Sequence, residues 1–374
     1  MVFLENLTYI KGQCNYKKGS LSVLLMFLSE FIAGFIFYKY EKKLLTKNGN
    51  KRTSSFMGIK LIESSQELGT KPLDSNLKII FLMLAATFFD FYDTILFNFL
   101  LPNLYDDFSS SLIDRLECIS AILTSFLCYF LLNFPIYKHQ KCSLVVIFIC
   151  FIIIIISEYF IDVFFIDEFK KKKMLSGFII ALISVLIDNF FFSILLVVEK
   201  YLIEYDFINP FQMLMYEGAF GSIMGFIYAF INEPFKEFKE VYNKEDKSKF
   251  IILIIGLIIY YILIGVVNSY RVKINKLFSP THIAFIYYIS SPITIITNFV
   301  RGKDFKTKGQ KNYQYFLFNL IISIIMFFCG CIYNEFIVLF CCNLEHDTYY
   351  QISIRAKIED NLEYNVNKDA NDSF

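Results

Sequence analysis

The chain has 374 residues, 56% of them hydrophobic and 19% aromatic, and its mean hydropathy is +0.51. Ordinary soluble domains do not reach these values, so the composition indicates a polytopic helical membrane protein, which would contact the lipid bilayer. The net charge of +1 gives no reason to expect a nucleic-acid partner. The nine cysteines have neither metal-ligand nor disulfide spacing, and we expect them to be buried small hydrophobic residues.

Nine segments contain about 20 mostly apolar residues, the length that crosses a bilayer as a helix. They predict an all-α membrane fold with spans at 21–40, 79–101, 112–134, 142–160, 174–198, 211–231, 250–268, 280–300 and 315–333. The predicted organisation is an N-terminal segment (1–20), a first helical half of four spans (21–173), a second half of five spans (174–340) and a polar C-terminal tail (341–374). We expect the tail to be disordered because it has little apolar surface to bury.

The stretch 197–225 has the pattern of a helical hairpin, broken at Asn209-Pro210. Pro210 favours the first turn of the second helix, where a missing N–H costs nothing. Glu217 lies about two turns further on, and a carboxylate within a span usually faces protein or a water-filled cavity. Its role is open between a packing acid bonded to a neighbouring helix and an acid that lines a cavity. Small residues at helical spacing predict a helix-packing face beside it: Gly218, Gly221, Ser222 and Gly225.

Other ionisable residues within spans are functional-site hypotheses for the same reason. Asp90 and Asp93 are three residues apart and share one helix face, as substrate ligands or as a helix–helix hydrogen-bond site. Arg115 lies near the mouth of the third predicted span, either as a substrate ligand or as an interfacial anchor. For Glu30 and Glu158 we expect snorkelling or packing.

The break between the seventh and eighth predicted spans concentrates cations and hydroxyl groups. The residues around the break are Asn268, Arg271, Lys273, Lys276, Ser279, Thr281 and His282. Such groups at a helix start form a plausible anion site, and the alternative is a positively charged loop that fixes the orientation of the chain in the membrane.

A single histidine is weak evidence for a metal, so we predict no metal and no cofactor. Catalytic motifs are absent from the sequence, and we do not expect an enzyme.

Several blocks, taken in order, resemble the drug/metabolite transporter superfamily, and within it the F subgroup of solute carrier family 35. They are the run 197–221 with Glu199, Pro210, Glu217-Gly218 and Phe220-Gly221; MFLSEF at 26–31; the Asp90 helix followed by Ser109-Ser110 and Arg115; Asn268, Lys276, Ser279 and Thr281; and GCIYNEFIVL at 330–339. Together they cover residues 21 to about 339.

This resemblance implies a fold of ten helices in two inverted halves, cytosolic termini and a central cavity that operates by alternating access. Relatives carry nucleotide sugars, nucleotides and other small metabolites across endomembranes, so a Golgi, endoplasmic reticulum or lysosomal/vacuolar location is expected. Arg115 and Lys276 are expected to bind an anionic group of the substrate, and Glu217 to act as a cavity or gating acid. The implied substrate-binding set is Asp90, Arg115, Glu217, Asn268, Lys276, Ser279 and Thr281. Oligomeric state is open, and a homodimer is one alternative.

Two departures from the family pattern affect these expectations. The block MFLSEF resembles the family's second helix, so the resemblance implies that the first helix is missing and that nine spans remain. The N-terminus would then be lumenal, and the sequon Asn6-Leu7-Thr8 could be glycosylated. The arginine and aspartate of the ninth family helix are also replaced, around Ile283, Tyr287 and Ser290, which disfavours a nucleotide sugar as the substrate.

Because of these departures, a transport-inactive membrane scaffold is the competing hypothesis. A channel finds little support, because no charge ring or pore-loop motif is present.

Overall fold

The computed structural model describes residues 20–47, 51–56, 59–64, 77–96, 116–165, 168–231, 247–301, 306–307, 310–311, 313–340, 344–346, 348, 351–352 and 354–355. Arg115, the Asn6-Leu7-Thr8 sequon and the tail from residue 356 onward lie outside these ranges, and the expectations for them remain predictions. The predicted disorder of the tail is wrong for its described part, where Thr348 is buried and its carbonyl accepts from the backbone nitrogen of Ile352 at 2.9 Å.

Ten helices make up nearly all of the described chain. They are α1 (Ser20–Lys47), α2 (Leu77–Ile95), α3 (Ile119–Leu132), α4 (Lys138–Phe165), α5 (Glu168–Glu204), α6 (Pro210–Ile231), α7 (Lys247–Leu277), α8 (Pro280–Ala284), α9 (Ile286–Arg301) and α10 (Tyr313–Tyr333). Two antiparallel ladders lie in polar connections: β1 (Lys51–Phe56) with β2 (Ile59–Ser64), and β3 (Lys306–Thr307) with β4 (Gln310–Lys311).

A helix of the described chain lies within or overlaps each of the nine predicted spans. Residues 97–101 of the second predicted span and 112–115 of the third lie outside the described ranges, and the count of nine spans remains a prediction. The eighth differs from the prediction, because a turn at Phe285 divides it into α8 and α9, and α9 carries Pro292 inside it. Six helices, namely α1, α4, α5, α6, α7 and α10, are long and apolar enough to cross a membrane. The chain is therefore a polytopic helical membrane protein.

The outward faces of these helices are apolar, as contact with lipid requires. In α4 the large side chains alternate between an inner and an outer stripe at helical spacing. The outer stripe is exposed and consists of Val145, Phe148, Ile149, Ile152, Ile153 and Ile156. The inner stripe is buried and contains Leu144, Ile147, Cys150, Phe151 and Ile154. Of the six cysteines in the described ranges, four are buried, Cys331 is half-buried and Cys142 is exposed.

The chain divides into two compact units, and each draws on both predicted sequence halves. The first unit contains Met1–Asp107 and Gly177–Ile283, and therefore α1, α2, most of α5, α6, α7 and most of α8. The second contains Phe108–Ser176 and Ala284–Phe374, and therefore α3, α4, α9 and α10. The inverted relationship between the sequence halves remains a prediction.

Polar pairs between helices hold the second unit together within its apolar surroundings. Such pairs satisfy polar groups that lipid cannot. The tyrosine hydroxyl of Tyr288 donates to the carbonyl of Cys118 at 2.6 Å, and the hydroxyls of Ser125 and Tyr333 lie 3.2 Å apart. His139 Nε2 lies 3.4 Å from Glu335 Oε1, a charge contact without hydrogen-bond geometry. The first unit, in contrast, contains a larger group of buried charges.

Candidate functional site: a buried carboxyl cluster in the first unit

Helices α1 and α6 pack backbone against backbone through glycines. A Cβ atom on Gly218 would lie 2.3 Å from the backbone nitrogen of Phe31, and one on Gly34 would lie 2.7 Å from that of Met215. No real side chain tolerates these distances, so only glycine permits this approach. The contacts run in opposite order along the two helices, which makes α1 and α6 antiparallel: Gly225 faces Leu24, Gly221 faces Phe27, Gly218 faces Phe31, and Met215 faces Gly34.

The predicted packing residues therefore lie as follows. The three glycines of the set, Gly218, Gly221 and Gly225, face α1. Ser222 is half-buried, and its hydroxyl donates to the carbonyl of Gly218 within its own helix at 2.6 Å.

Glu217 is adjacent to the closest of these contacts and is fully buried. Neither of its carboxyl oxygens has a hydrogen-bond partner among the described residues. An unpaired buried carboxylate is costly, because it gives up hydration without replacing it. Its electrostatic neighbours come from four other helices: Glu199, Arg271, Asp90 and Glu30.

Arg271 on α7 is the cation that these acids share. Its guanidinium lies 2.6 Å from the carboxyl group of Glu199, whose side chain is fully buried. It also attracts Asp90, Glu217 and Glu30 electrostatically. We call Glu30, Asp90, Glu199 and Glu217, together with Arg271, the carboxyl cluster. Five helices of one unit thus bring four acids and one base together in its interior.

Helix α7 presents further donors to the cluster on the same face as Arg271. Asn268 precedes it by three residues and Asn275 follows it by four, so the three side chains form one stripe. The amide of Asn268 donates to Glu30 in a short hydrogen bond. The amide of Asn275 donates to Glu199 Oε2 at 3.0 Å and to the carbonyl of Leu196 at 2.9 Å. These amides reach two of the four acids.

Lys200 closes one end of the cluster and is itself nearly buried, with 3% of its side chain exposed. Its ammonium donates to carbonyl oxygens at the C-terminus of α7: Asn275 at 2.9 Å, Lys276 at 3.3 Å and Phe278 at 2.6 Å. It also pairs with Glu204 at 2.7 Å. A cation at this position satisfies terminal carbonyls and opposes the negative end of the helix dipole.

Other hydrogen bonds bring further helix ends to the same side of the unit. Asn209 caps α6, because its Oδ1 accepts from the backbone nitrogens of Phe211 and Gln212 at 3.0 and 3.3 Å. The predicted start of this helix at Pro210 is confirmed. The amide of Asn209 donates to Glu41 at 2.8 Å, and Lys78 donates to Tyr201 at 2.7 Å. We call this the Lys200 side: α1, α5 and α7 end there, and α2 and α6 begin there.

The predicted site residues fall into two groups. Asp90, Glu217 and Asn268 lie in or beside the carboxyl cluster, whereas Arg115 lies outside the described ranges. Lys276, Ser279 and Thr281 lie where α7 ends and α8 begins. There the hydroxyl of Ser279 bonds that of Thr281 and, at 2.7 Å, Nδ1 of His282. These hydroxyls satisfy one another locally.

Sequence reasoning missed three members of the cluster as site residues. Glu30 is fully buried and does not snorkel. Its position at the centre of the 21–40 segment was the available signal, because a carboxylate there cannot reach the interface. Arg271 stood out only as one of the residues around the break, and Glu199 only within the run that resembles the transporter family, because nothing in the sequence pairs residues 72 positions apart.

Comparison with known proteins gives no family assignment for the chain. No family model matches the chain, and no curated protein matches it in sequence.

Proposed function

We propose that the chain is a secondary transporter that moves a small polar metabolite across an endomembrane by alternating access. The observation that carries this proposal is the carboxyl cluster, four acids and one base buried where five helices meet. Ionisable groups inside a membrane bundle are costly and commonly line substrate or ion pathways. A purely structural site would pair its charges, whereas here acids outnumber bases and Glu217 has no hydrogen-bond partner among the described residues.

The helix ends on the Lys200 side support a topology in which successive helices of the first unit cross the bilayer in opposite directions. Helix α1 ends there and α2 begins there, α5 ends there and α6 begins there, and α7 ends there. If α2 and α5 both cross the bilayer, this order fits an even number of crossings between them, for which we propose α3 and α4. It is the order expected if all nine predicted segments cross, and it agrees with the drug/metabolite transporter resemblance.

The balance of charge bears on the class of solute. Four carboxyl groups around one guanidinium disfavour a multiply charged anion next to Glu217, because like charges repel more strongly in a low-dielectric interior. Nucleotide sugars are therefore less suited to the cluster than a neutral polar solute or one that carries an amine. Arg115 and Lys276 remain the residues that we propose for an anionic group of the solute.

The test is counterflow uptake by the full-length chain in proteoliposomes, with amines, amino acids, nucleotides and nucleotide sugars as the panel. We expect saturable uptake of at least one solute, lost in Glu217→Gln. Glu204→Gln is the matched control, because Glu204 is a partly exposed carboxyl group of α5 outside the cluster. Absence of uptake across the panel, from folded protein, would overturn the proposal in favour of the transport-inactive scaffold.

A further inference from the structure

Positive charge within the carboxyl cluster is too small for its acids, because one guanidinium, that of Arg271, interacts with four carboxyl groups. The amides of Asn268 and Asn275 donate to one oxygen each of Glu30 and Glu199. Both oxygens of Glu217, Oε2 of Glu30, Oδ2 of Asp90 and Oε1 of Glu199 have no hydrogen-bond partner in the described part of the chain, nor have the two terminal nitrogens of Arg271, whose 2.6 Å approach to Glu199 is an ion pair without hydrogen-bond geometry. An ionised carboxylate only accepts hydrogen bonds, whereas a protonated one is neutral and carries a donor of its own. Protons bound to some of these acids would therefore neutralise the negative charge that one guanidinium does not offset.

A metal ion fits the same space poorly. Within the described ranges, no three side chains of His, Cys, Asp or Glu converge closely enough to hold one. The four acids surround a guanidinium instead, with Glu30 on α1, Asp90 on α2, Glu199 on α5 and Glu217 on α6. The ammonium of Lys200 is directed at the terminal carbonyls of α7.

A second pair of acids lies beyond the cluster on two of the same helices. Asp188 of α5 has Asp93 of α2 as a side-chain neighbour. Two neighbouring carboxylates in an apolar interior repel each other unless one of them holds a proton. Asp188 is 6% exposed, and its Oδ1 has no hydrogen-bond partner among the described residues. Asp93 follows Asp90 by three residues and therefore lies on the same helix face.

This second pair extends the line of carboxyl groups away from the Lys200 side. Helix α2 begins on that side, so Asp93 lies farther from it than Asp90 does. Helix α5 ends on that side, and Asp188 precedes Glu199 by about 16 Å of helix. The ring of Phe191 packs against those of Phe89 and Tyr92 at centroid distances of 5.6 and 5.8 Å, which keeps α2 and α5 together here.

We propose that the carboxyl cluster is a proton-binding site and that Asp93 and Asp188 pass protons to it from the side of the membrane opposite the Lys200 side. This inference rests on the proposed transport function, since the protons move with the transport cycle of the solute. A proton transferred along the line moves from one carboxyl oxygen to the next, and no oxidant or further reactant is needed.

The experiment uses full-length protein in proteoliposomes that contain a pH-sensitive dye, with the membrane potential clamped by potassium and valinomycin. For a solute accepted in counterflow, we expect an imposed pH gradient to drive accumulation and solute addition to change the internal pH. Asp188→Asn should lose gradient-driven accumulation at least tenfold and retain counterflow, which needs no net proton movement. Glu204→Gln should behave as the unmodified protein in both assays.

The outcomes separate the two proposals. Intact counterflow without accumulation in an imposed pH gradient, or accumulation driven by a sodium gradient instead, would overturn proton coupling and leave transport standing. Failure of counterflow for the whole panel would overturn transport and the coupling with it. Infrared spectra of the purified protein give an independent reading, because protonated carboxyl groups have their own carbonyl band. We expect that band to weaken in Glu217→Gln, and an unchanged band would overturn the assignment of a proton to Glu217.

Discussion

Arg271 and Glu199 form a buried ion pair between α7 and α5, with 2.6 Å between guanidinium nitrogen and carboxyl oxygen. Glu199 is fully buried, and Asn275 donates to its other oxygen. The same guanidinium offsets the charge of three further acids. Because removal of one partner leaves a buried charge uncompensated, we expect the loss of either side chain to destabilise the fold.

We expect Arg271→Met to destabilise the protein by about 3–5 kcal/mol, the usual cost of breaking a buried pair. Adding Glu199→Gln to that variant should recover part of the loss, since one uncompensated acid is then removed. Thermal unfolding in detergent, followed by the monodisperse fraction, measures both effects. A single variant as stable as the unmodified protein would mean that the acids are already neutral without the guanidinium.

Gly218→Ala should destabilise the contact between α1 and α6 by about 1–3 kcal/mol, the range for overpacking. The new Cβ would lie 2.3 Å from the backbone of Phe31, which cannot move as a flexible side chain can. Gly225→Ala is the matched control, because its Cβ would meet Leu24 at the milder distance of 3.0 Å. Unfolding temperatures should rank unmodified protein, Gly225→Ala and Gly218→Ala in descending order. The reverse order would contradict the contact geometry of this helix pair.

Lys200→Ala should loosen the last turn of α7, because the ammonium donates to three carbonyl groups there. Charged hydrogen bonds of this kind contribute about 1.5–3 kcal/mol. Hydrogen exchange followed by mass spectrometry should show faster exchange around Lys276, with the centre of α7 little changed. Lys273→Ala, which removes an exposed lysine of the same helix, should leave exchange unaltered. Equal exchange in both variants would exclude the capping role.

Lys276→Ala tests the proposed contact with an anionic group of the solute. Loss of that contact should raise KM for anionic solutes at least several-fold and leave neutral solutes unaffected. Lys273→Ala serves again as the control from the exposed face of α7. An equal effect of Lys276→Ala on anionic and neutral solutes would assign the lysine to structure instead.

The sequon Asn6-Leu7-Thr8 tests the orientation of the chain. If the N-terminus is lumenal, glycosylation at Asn6 should slow the protein on a gel, and enzymatic deglycosylation should restore its mobility. Asn6→Gln should abolish the difference. A band that deglycosylation does not shift would count against a lumenal N-terminus.

Local features of this fold were predictable from the sequence. Apolar length located a helix at every predicted span, and Asn209-Pro210 marked the start of α6, because hydropathy and capping act over neighbouring residues. Asp90 and Glu217 stood out as acids in apolar segments. These signals needed no knowledge of tertiary structure.

Partnerships between distant helices were not predictable. The glycine pattern of α6 indicated a packing face but could not name α1 as the helix that packs there. Glu30 and Asn268 meet across 238 residues of sequence, and no local pattern joins them. In a soluble protein the apolar face of a helix points inward and the polar face outward. In lipid both faces are largely apolar, so hydrophobicity does not show which face of a helix packs against its neighbours.

The close approach of α1 and α6 restricts how the first unit can deform. Sliding one helix along the other by a single residue, about 1.5 Å, would move side chains with a Cβ into the spaces that Gly218 and Gly34 leave open. Asn209 opposes such sliding as well, because one side chain both caps α6 and bonds Glu41 of α1. We therefore expect the two helices to move as one rigid body, which would hold Glu30 and Glu217 at a constant spacing.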